Sequence, residues 1–407
     1  MSEATFDRLR HLLGPEGVER DPRGLPRAVP ESDDALALVC QTAQDEGWRF
    51  RLEGRGSWLP PDGPADFALS TRGLNRIVRV SPADLVATVQ AGATLESIRA
   101  ALQADHLWLA LDPPGRPDRT IGSVVATATA GPLRHGFGPV RDHVLGCTVA
   151  TGDGRLVDAG GSVVKNVAGY DLTKLHVGGF GAFGVITELN LRLRAEPALD
   201  ATFICRGGRH ALVSASQRVV EGQVGVVALE LLSPALAALP EWTLAARLSG
   251  TVEAVESEAA RLADESGLEW ERLPPERAAG FWNLVARAPL GGPVAVRLGA
   301  LLDGLPDVID LVIEMLGEEL LSAGLGTGAM RWAGEAEVDA LRGLRHRAAE
   351  REVPLTLERA PWAIRRVVGH FGAYREGVGQ LVDRLRSTFD PKGVIAVALE
   401  GEVSSER

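Results

Sequence analysis

Residues 160–194 read GGSVVKNVAGYDLTKLHVGGFGAFGVITELNLRLR, and this stretch decides the fold class. It places Gly160, Gly161, Gly169, Gly178, Gly179, Gly181 and Gly184 among residues otherwise suited to strand and helix. Glycine is costly inside regular structure and is kept where the backbone turns into the left-handed region or passes close to another surface. The closing VITELNLRLR alternates apolar and polar residues, the pattern of a half-buried strand. A glycine cluster feeding such a strand lets main-chain amides and carbonyls lie against a flat ligand; a crowded turn is the plainer alternative.

Within this stretch Val164-Lys165-Asn166-Val167-Ala168-Gly169-Tyr170-Asp171-Leu172, then Lys174-Leu175 and Gly184-Val185-Ile186, carry a resemblance. The chain resembles the FAD-binding domain of the vanillyl-alcohol-oxidase, or PCMH-type, flavoproteins. Within that family it is most similar to the FAD-binding subunits of bacterial glycolate oxidase. Residues 35–196 carry the likeness well, and the remainder carries it by pattern only. The resemblance implies an α+β fold: a PCMH-type FAD-binding domain of two α/β subdomains plus an α+β, ferredoxin-like cap domain.

Bulk properties agree. The chain has 407 residues, more than one hydrophobic core usually organises, so two domains are expected. A net charge of −11 argues against nucleic acid as a partner. Cys40, Cys147 and Cys205 are isolated, which points to no disulfide framework, zinc site or iron–sulfur cluster. No histidines pair at ligand spacing, so no metal is expected. Neither a signal-like N-terminus nor a run of about 18 apolar residues is present, and a cytoplasmic protein is expected.

Working outward, residues 1–30 read as a charged lead-in and 31–196 as the FAD-binding domain. Residues 197–350 read as the cap, and 351–407 as a segment returning to the first domain. In the cap, WTLAARLSG with TVEAVESEAARLADESG, and PVAVRLGALL with DVIDLVIEMLGEELLSAG, are strand–helix–strand units, the recipe for helices over an antiparallel sheet.

Three further pieces are candidate binding elements. Gly54, Arg55, Gly56, Ser57 and Trp58 follow a strand, and successive N–H groups of such a turn make a concave anion site suited to a diphosphate. By the resemblance this is the pyrophosphate loop, although Glu53 and Arg55 replace the usual Arg-Gly-Gly-Gly start and Glu53 would repel a diphosphate unless it turns away. Ser57 and Trp58 stand where covalently flavinylated relatives place a histidine, which implies dissociable FAD. Pro114, Thr120, Ile121, Gly122, Ser123, Ala126 and Gly131 form the second candidate set, and Gly184, Val185 and Ile186 the third. Arg141-Asp142 reads as an ordinary ion pair. Two asparagines of the family pattern are absent: Ala128 occupies one place, and the closing Phe389-Asp390-Pro391-Lys392-Gly393 continues with Ala396-Val397-Ala398-Leu399 at the other.

If FAD binds, a 2-hydroxy acid needs an arginine for its carboxylate and a base for its hydroxyl proton. Arg297, Arg331, Arg359, His370 and Tyr374 are candidates, each read more simply as surface or core, so the catalytic residues stay unassigned. The histidine-rich run of the catalytic glycolate oxidase subunit is missing, and Phe180 stands where that subunit has glutamate. The resemblance therefore implies a companion FAD-binding subunit beside a second FAD-containing catalytic subunit and an iron–sulfur subunit, acting on small 2-hydroxy acids and reaching the inner membrane peripherally through those partners. The alternatives are a stand-alone FAD-dependent 2-hydroxy acid dehydrogenase and a structural subunit that has lost FAD. A nicotinamide enzyme fits poorly, because the Gly178–Gly184 run leads into a strand and not a helix.

Overall fold

The computed structural model describes residues 2–59, 62–161, 171–372 and 377–396. Residues 164–170 of the family signature, Tyr374, and residues 397–399 lie outside these.

The segment read as a lead-in is folded. Helix Ser2–Leu13 buries Leu9, and two three-residue strands follow, β1 (Val18–Arg20) and β2 (Pro26–Ala28). Strands this short carry no readable alternation, which is why the sequence shows a loop there. A helix then runs Asp33–Glu46. Ser32 caps its first turn by accepting from the Ala35 N–H, and Gly47 ends it in the left-handed conformation. β3 (Phe50–Glu53) and β4 (Phe67–Ser70) complete the sheet with a strand from the chain's far end, Ile395–Ala396, in the order β1-β2-β4-β3-(395–396). All its pairings but β1–β2 are parallel.

The second sheet is antiparallel: β5 (Ile77–Ser81), β6 (Val86–Gln90), β8 (Val144–Ala150), β9 (Leu156–Gly160) and β10 (Val185–Arg192), in the order β5-β6-β10-β8-β9. A short β7 (Leu107–Trp108) pairs separately with β11 (Arg194–Ala195). The half-buried strand read from residues 185–192 is β10, the central strand. Leu189 and Leu191 are buried while Glu188 and Asn190 are only partly so. Helix Leu95–Leu102, with a reciprocal Thr94/Ser97 cap, and helix Ile121–Thr127 pack on this sheet.

The cap is two βαββαβ units in sequence. The first is β12 (Leu199–Gly207), helix Arg209–Glu221, β13 (Ala228–Leu232), β14 (Trp242–Gly250), helix Val252–Ser266 and β15 (Glu271–Arg272). The second is β16 (Val294–Gly299), helix Leu305–Leu316, β17 (Leu320–Gly324), β18 (Ala329–Gly334), helix Val338–Glu350 and β19 (Leu355–Arg359). Antiparallel pairing of β13 with β17 merges them into one eight-stranded sheet, β15-β12-β14-β13-β17-β18-β16-β19. Each half has the ferredoxin-like strand order.

Side-chain alternation gives this sheet two faces of different chemistry. Leu244, Leu231, Val296, Trp332 and Leu357 enter a large apolar core with the helices. In the second unit the opposite face carries Arg297, Arg331 and Glu358, which meet the FAD-domain-like half of the chain at Ala128 and Ala130. The last strand, β20 (Ile395–Ala396), then returns to the first sheet beside β3.

Candidate functional site

The three stretches singled out by sequence converge on one pocket, with about 1140 Å³ of empty space when the open solvent at its mouth is counted. Gly54, Arg55, Gly56, Ser57 and Trp58 line it from the turn after β3. Thr120, Gly122, Ser123 and Ala126 line it from helix Ile121–Thr127, and Gly184, Val185 and Ile186 from the start of β10. Pro114, Ile121 and Gly131 do not. Ile121 turns onto the core face of its helix, the Pro114 carbonyl accepts from Arg119, and Gly131 presses against the main chain of Asp112.

The turn after β3 is built to present its main chain. Gly54 lies so near helix Ile121–Thr127 that an added Cβ would sit 2.3 Å from the Thr120 hydroxyl, and Gly56 holds φ at 70°. The N–H groups of Arg55, Gly56, Ser57 and Trp58 have no hydrogen-bond partner among the described residues. Successive N–H groups left open on one glycine turn are the material from which an anion-binding nest is made. Arg55 is exposed and pairs with no carboxylate among the described residues.

Glu53 does not oppose an anion there. Its side chain is 7 % exposed, with Arg27 donating to it at 2.5 Å and Arg51 at 3.5 Å. Arg51 also reaches Asp21, and Arg27 reaches Glu19, so the carboxylate sits in a ladder of alternating charge beneath the turn. Behind the turn Arg119 is fully buried, and its guanidinium lies 4.1 Å from the Trp58 ring centre.

Sequence reading missed several lining residues. Trp362 and Arg365, on helix Trp362–Val368 of the returning segment, close one side of the cavity. The Trp362 N–H donates to Asp62 at 2.6 Å and Arg365 pairs with the same carboxylate, tying the cavity loop to a helix 300 residues on. No local pattern announces such a contact. Phe180, a residue at φ 51°, lines the cavity and meets the rings of His370 and Phe371 edge-on.

The candidate substrate residues are placed elsewhere. Arg297 and Arg331 sit opposite each other on β16 and β18, and both hold Glu358, at 3.2 and 3.1 Å. Their remaining donors reach the carbonyls of Ala128, at 3.5 Å, and Ala130, at 2.9 Å, just past helix Ile121–Thr127. The two arginines hold the Glu358 carboxyl below the usual range despite full burial. Arg359 ends β19 outside the cavity. His370 is buried with neither ring nitrogen bonded among the described residues; burial first, then nearby Arg365, pulls it down to about 3, so it stays neutral. Two further acids lie at the seam between cap and first half: burial pushes Glu230 up to about 8 and Asp112 up to about 7. Arg141 and Asp142 form an exposed surface pair. Among the described residues no three His, Cys, Asp or Glu side chains gather as metal ligands, and no helix is long and apolar enough to cross a membrane.

Ala128 occupies the left-handed C-cap of helix Ile121–Thr127, at φ 47°. Asparagine tolerates that conformation better than alanine, so the missing amide leaves a strained backbone position as well as one polar group fewer.

Comparison with known proteins accords with this geometry. Residues 27–160, which include the Gly54–Trp58 turn and helix Ile121–Thr127, match the family model described as FAD binding domain. The chain is 43% identical over 122 residues to glycolate oxidase subunit GlcE of Escherichia coli (strain K12), covering 30% of this chain and 35% of that protein. It is 30% identical over 190 residues to glycolate oxidase subunit GlcD of Bacillus subtilis (strain 168), covering 45% and 40%. To D-2-hydroxyglutarate dehydrogenase of Xanthomonas citri pv. viticola it is 34% identical over 179 residues, covering 43% and 38%. The matched stretches thus span well under half of these relatives. Among solved structures, 4-ethylphenol oxidase from Gulosibacter chungangensis superposes with a TM-score of 0.75 at 13% identity, over 97% of this chain and 95% of that one. p-Cresol methylhydroxylase gives 0.75 at 12% identity over the same shares. The shared fold therefore covers both halves of the chain, and the family resemblance read from residues 160–194 agrees with the matches.

Proposed function

We propose that the chain binds FAD non-covalently in this cavity and serves as the FAD-binding subunit of a glycolate-oxidase-like complex, supporting 2-hydroxy acid oxidation and electron transfer. The observation that carries the reading is the open nest at residues 55–58, in one cavity with Ser123 and Val185 and inside the stretch matching the FAD binding domain. The residues fit the group. The nest and Arg55 take the diphosphate, the close packing of Gly54 on Thr120 keeps the turn in place, and Phe180 and Trp362 offer flat apolar walls. Ser57 and Trp58 supply no histidine for a covalent link.

Bound there, FAD supplies acceptance of a hydride from a carbon centre and passage of electrons onward. This chain's own residues favour a companion role over oxidation by the chain alone. Of the titratable groups lining the cavity among the described residues, Arg51, Glu53, Arg55 and Arg365, the one carboxylate is neutralised by two arginines. Its oxygens are taken up by those arginines and are not free to meet a substrate hydroxyl. Arg297 and Arg331, which would suit a substrate carboxylate, hold Glu358 and the first half of the chain instead. Oxidation then belongs to a second FAD-containing subunit. Cys40, Cys147 and Cys205 are buried and separate, so iron–sulfur relay belongs to another partner. The reading places the chain in the cytoplasm, held peripherally at the inner membrane through those partners.

A steady-state assay of the flavin-loaded chain with glycolate or D-lactate and an artificial dye tests this. Turnover is expected only when the partner subunits are added. Robust turnover by the chain alone would favour a stand-alone D-lactate-like dehydrogenase, to which the match with D-2-hydroxyglutarate dehydrogenase lends support.

A further inference from the structure

We infer that Arg119 is a buried counter-cation whose charge is completed by the diphosphate of the bound dinucleotide, acting from behind Trp58; this rests on reading the cavity as an FAD site. Arg119 is 1 % exposed, and its donors go to neutral acceptors. They reach the Pro114 carbonyl at 2.6 Å, the Thr127 and Thr129 hydroxyls at 2.8 and 3.0 Å, and, more weakly, the Ser123 hydroxyl at 3.3 Å and carbonyl at 3.5 Å. No carboxylate among the described residues accepts from it. Burial opposes its charged form most; of the charged groups that act on it, Glu358 favours that form and Arg331 and Arg297 oppose it, so cations outnumber the acid.

A buried charge without a partner is expensive; buried Arg365 has Asp62, and half-buried Arg331 has Glu358. Arg119 differs in what surrounds it. Trp58, Ser123 and Thr127 touch its guanidinium, and all three line the cavity, so the cation stands one side-chain layer behind the wall. Its chain neighbour Thr120 is the residue against which Gly54 packs, which sets Arg119 behind the turn with four open N–H groups. An anion seated on that turn feels the cation through protein and not through water, where attraction is stronger. The planar guanidinium suits this place, since it stacks on Trp58 and spreads its donors over several acceptors at once.

A purely structural staple for residues 114–129 would serve every ligand equally, and a counter-cation would not. The test measures binding of ADP (diphosphate without the ring), riboflavin (ring without the diphosphate) and FAD to the full-length apoprotein by titration. Arg119→Gln is expected to weaken ADP and FAD by about tenfold while changing riboflavin by less than about twofold, and Arg119→Lys to hold ADP within about threefold. Unchanged ADP binding in Arg119→Gln, an equal loss for riboflavin, or equal losses in the two variants would overturn the inference. If Arg119→Gln does not fold, Arg119→Met takes its place, since an apolar chain of similar length in a buried site is often tolerated: about a tenfold loss of ADP with riboflavin held within about twofold supports the role, and unchanged ADP or an equal loss of riboflavin refutes it. An unsubstituted chain that binds neither ADP nor FAD refutes the cofactor reading itself, a separate outcome from a chain that binds both with no dependence on Arg119.

Discussion

Two arginine-rich regions of this protein face each other across helix Ile121–Thr127, and they differ in what is left open. On the cap side, Arg297 and Arg331 share Glu358 and give their other donors to the carbonyls of Ala128 and Ala130. Among the described residues, on the cavity side, the N–H groups of residues 55–58 and the exposed Arg55 have no acceptor, and buried Arg119 donates to no acid. By residue type the cap arginines look like the ligand binders. By geometry they are joints, and the unpartnered N–H groups that would suit an anion lie in a glycine turn. Substitutions should therefore separate the regions: changes at the joint should register in stability, changes at the turn in affinity.

The largest effect is expected at the joint. Glu358→Gln leaves two arginines facing each other in a buried seam, and removing one partner from such a cluster costs about 3–5 kcal/mol. Chemical denaturation should show that loss. A change below about 1 kcal/mol would mean that the cluster is solvated and the contrast between the regions false.

Next is the turn. Gly54→Ala puts a methyl group into the Thr120 hydroxyl and shifts the nest. FAD affinity should fall by about tenfold or more while stability moves by about 1 kcal/mol or less. A stability loss with unchanged affinity would reverse the assignment.

The seam also carries a pH signature. Glu230 and Asp112 have folded-state values raised by burial to about 8 and about 7, above those of the unfolded chain. Between the unfolded and folded values the native state binds more protons, so the contribution of these two acids to stability is full below about pH 4 and is lost as pH rises towards 8. Glu230→Gln should flatten the upper part of that fall and stabilise the protein at pH 8 by about 1–3 kcal/mol. Thermal unfolding across pH 5 to 8.5 reads it, and parallel curves for the two proteins would contradict it.

The smallest effect is at Ala128. Asparagine there should relieve the left-handed strain and raise stability by about 0.5–1 kcal/mol without changing FAD affinity. A gain in affinity as well would show that the amide reaches the ligand.

How much of this was legible in the sequence follows from the range of the forces involved. β10 and the cap strands announce themselves because one face of each is buried over several residues, and alternation survives any tertiary detail. β1 and β2, three residues each, are held by their neighbours and leave no period to read. The glycine turn was readable as a turn, but its open N–H groups were not. Ile121 was misplaced onto the cavity because a helix rotates about 100° per residue, which puts Gly122, Ser123 and Ala126 on the cavity side and Ile121 in the core. Trp362, Arg365 and the pairing of Arg297 with Arg331 depend on chain segments far apart in sequence meeting, and no local pattern encodes that.

FAD is expected to enter and leave the cavity reversibly. The direct measurement is a titration of the purified apoprotein with FAD, followed by denaturation and separation of small molecules from protein. One FAD per chain, fully released on unfolding, is the expected result. A chain that takes up no FAD, or keeps it attached after denaturation, contradicts the account.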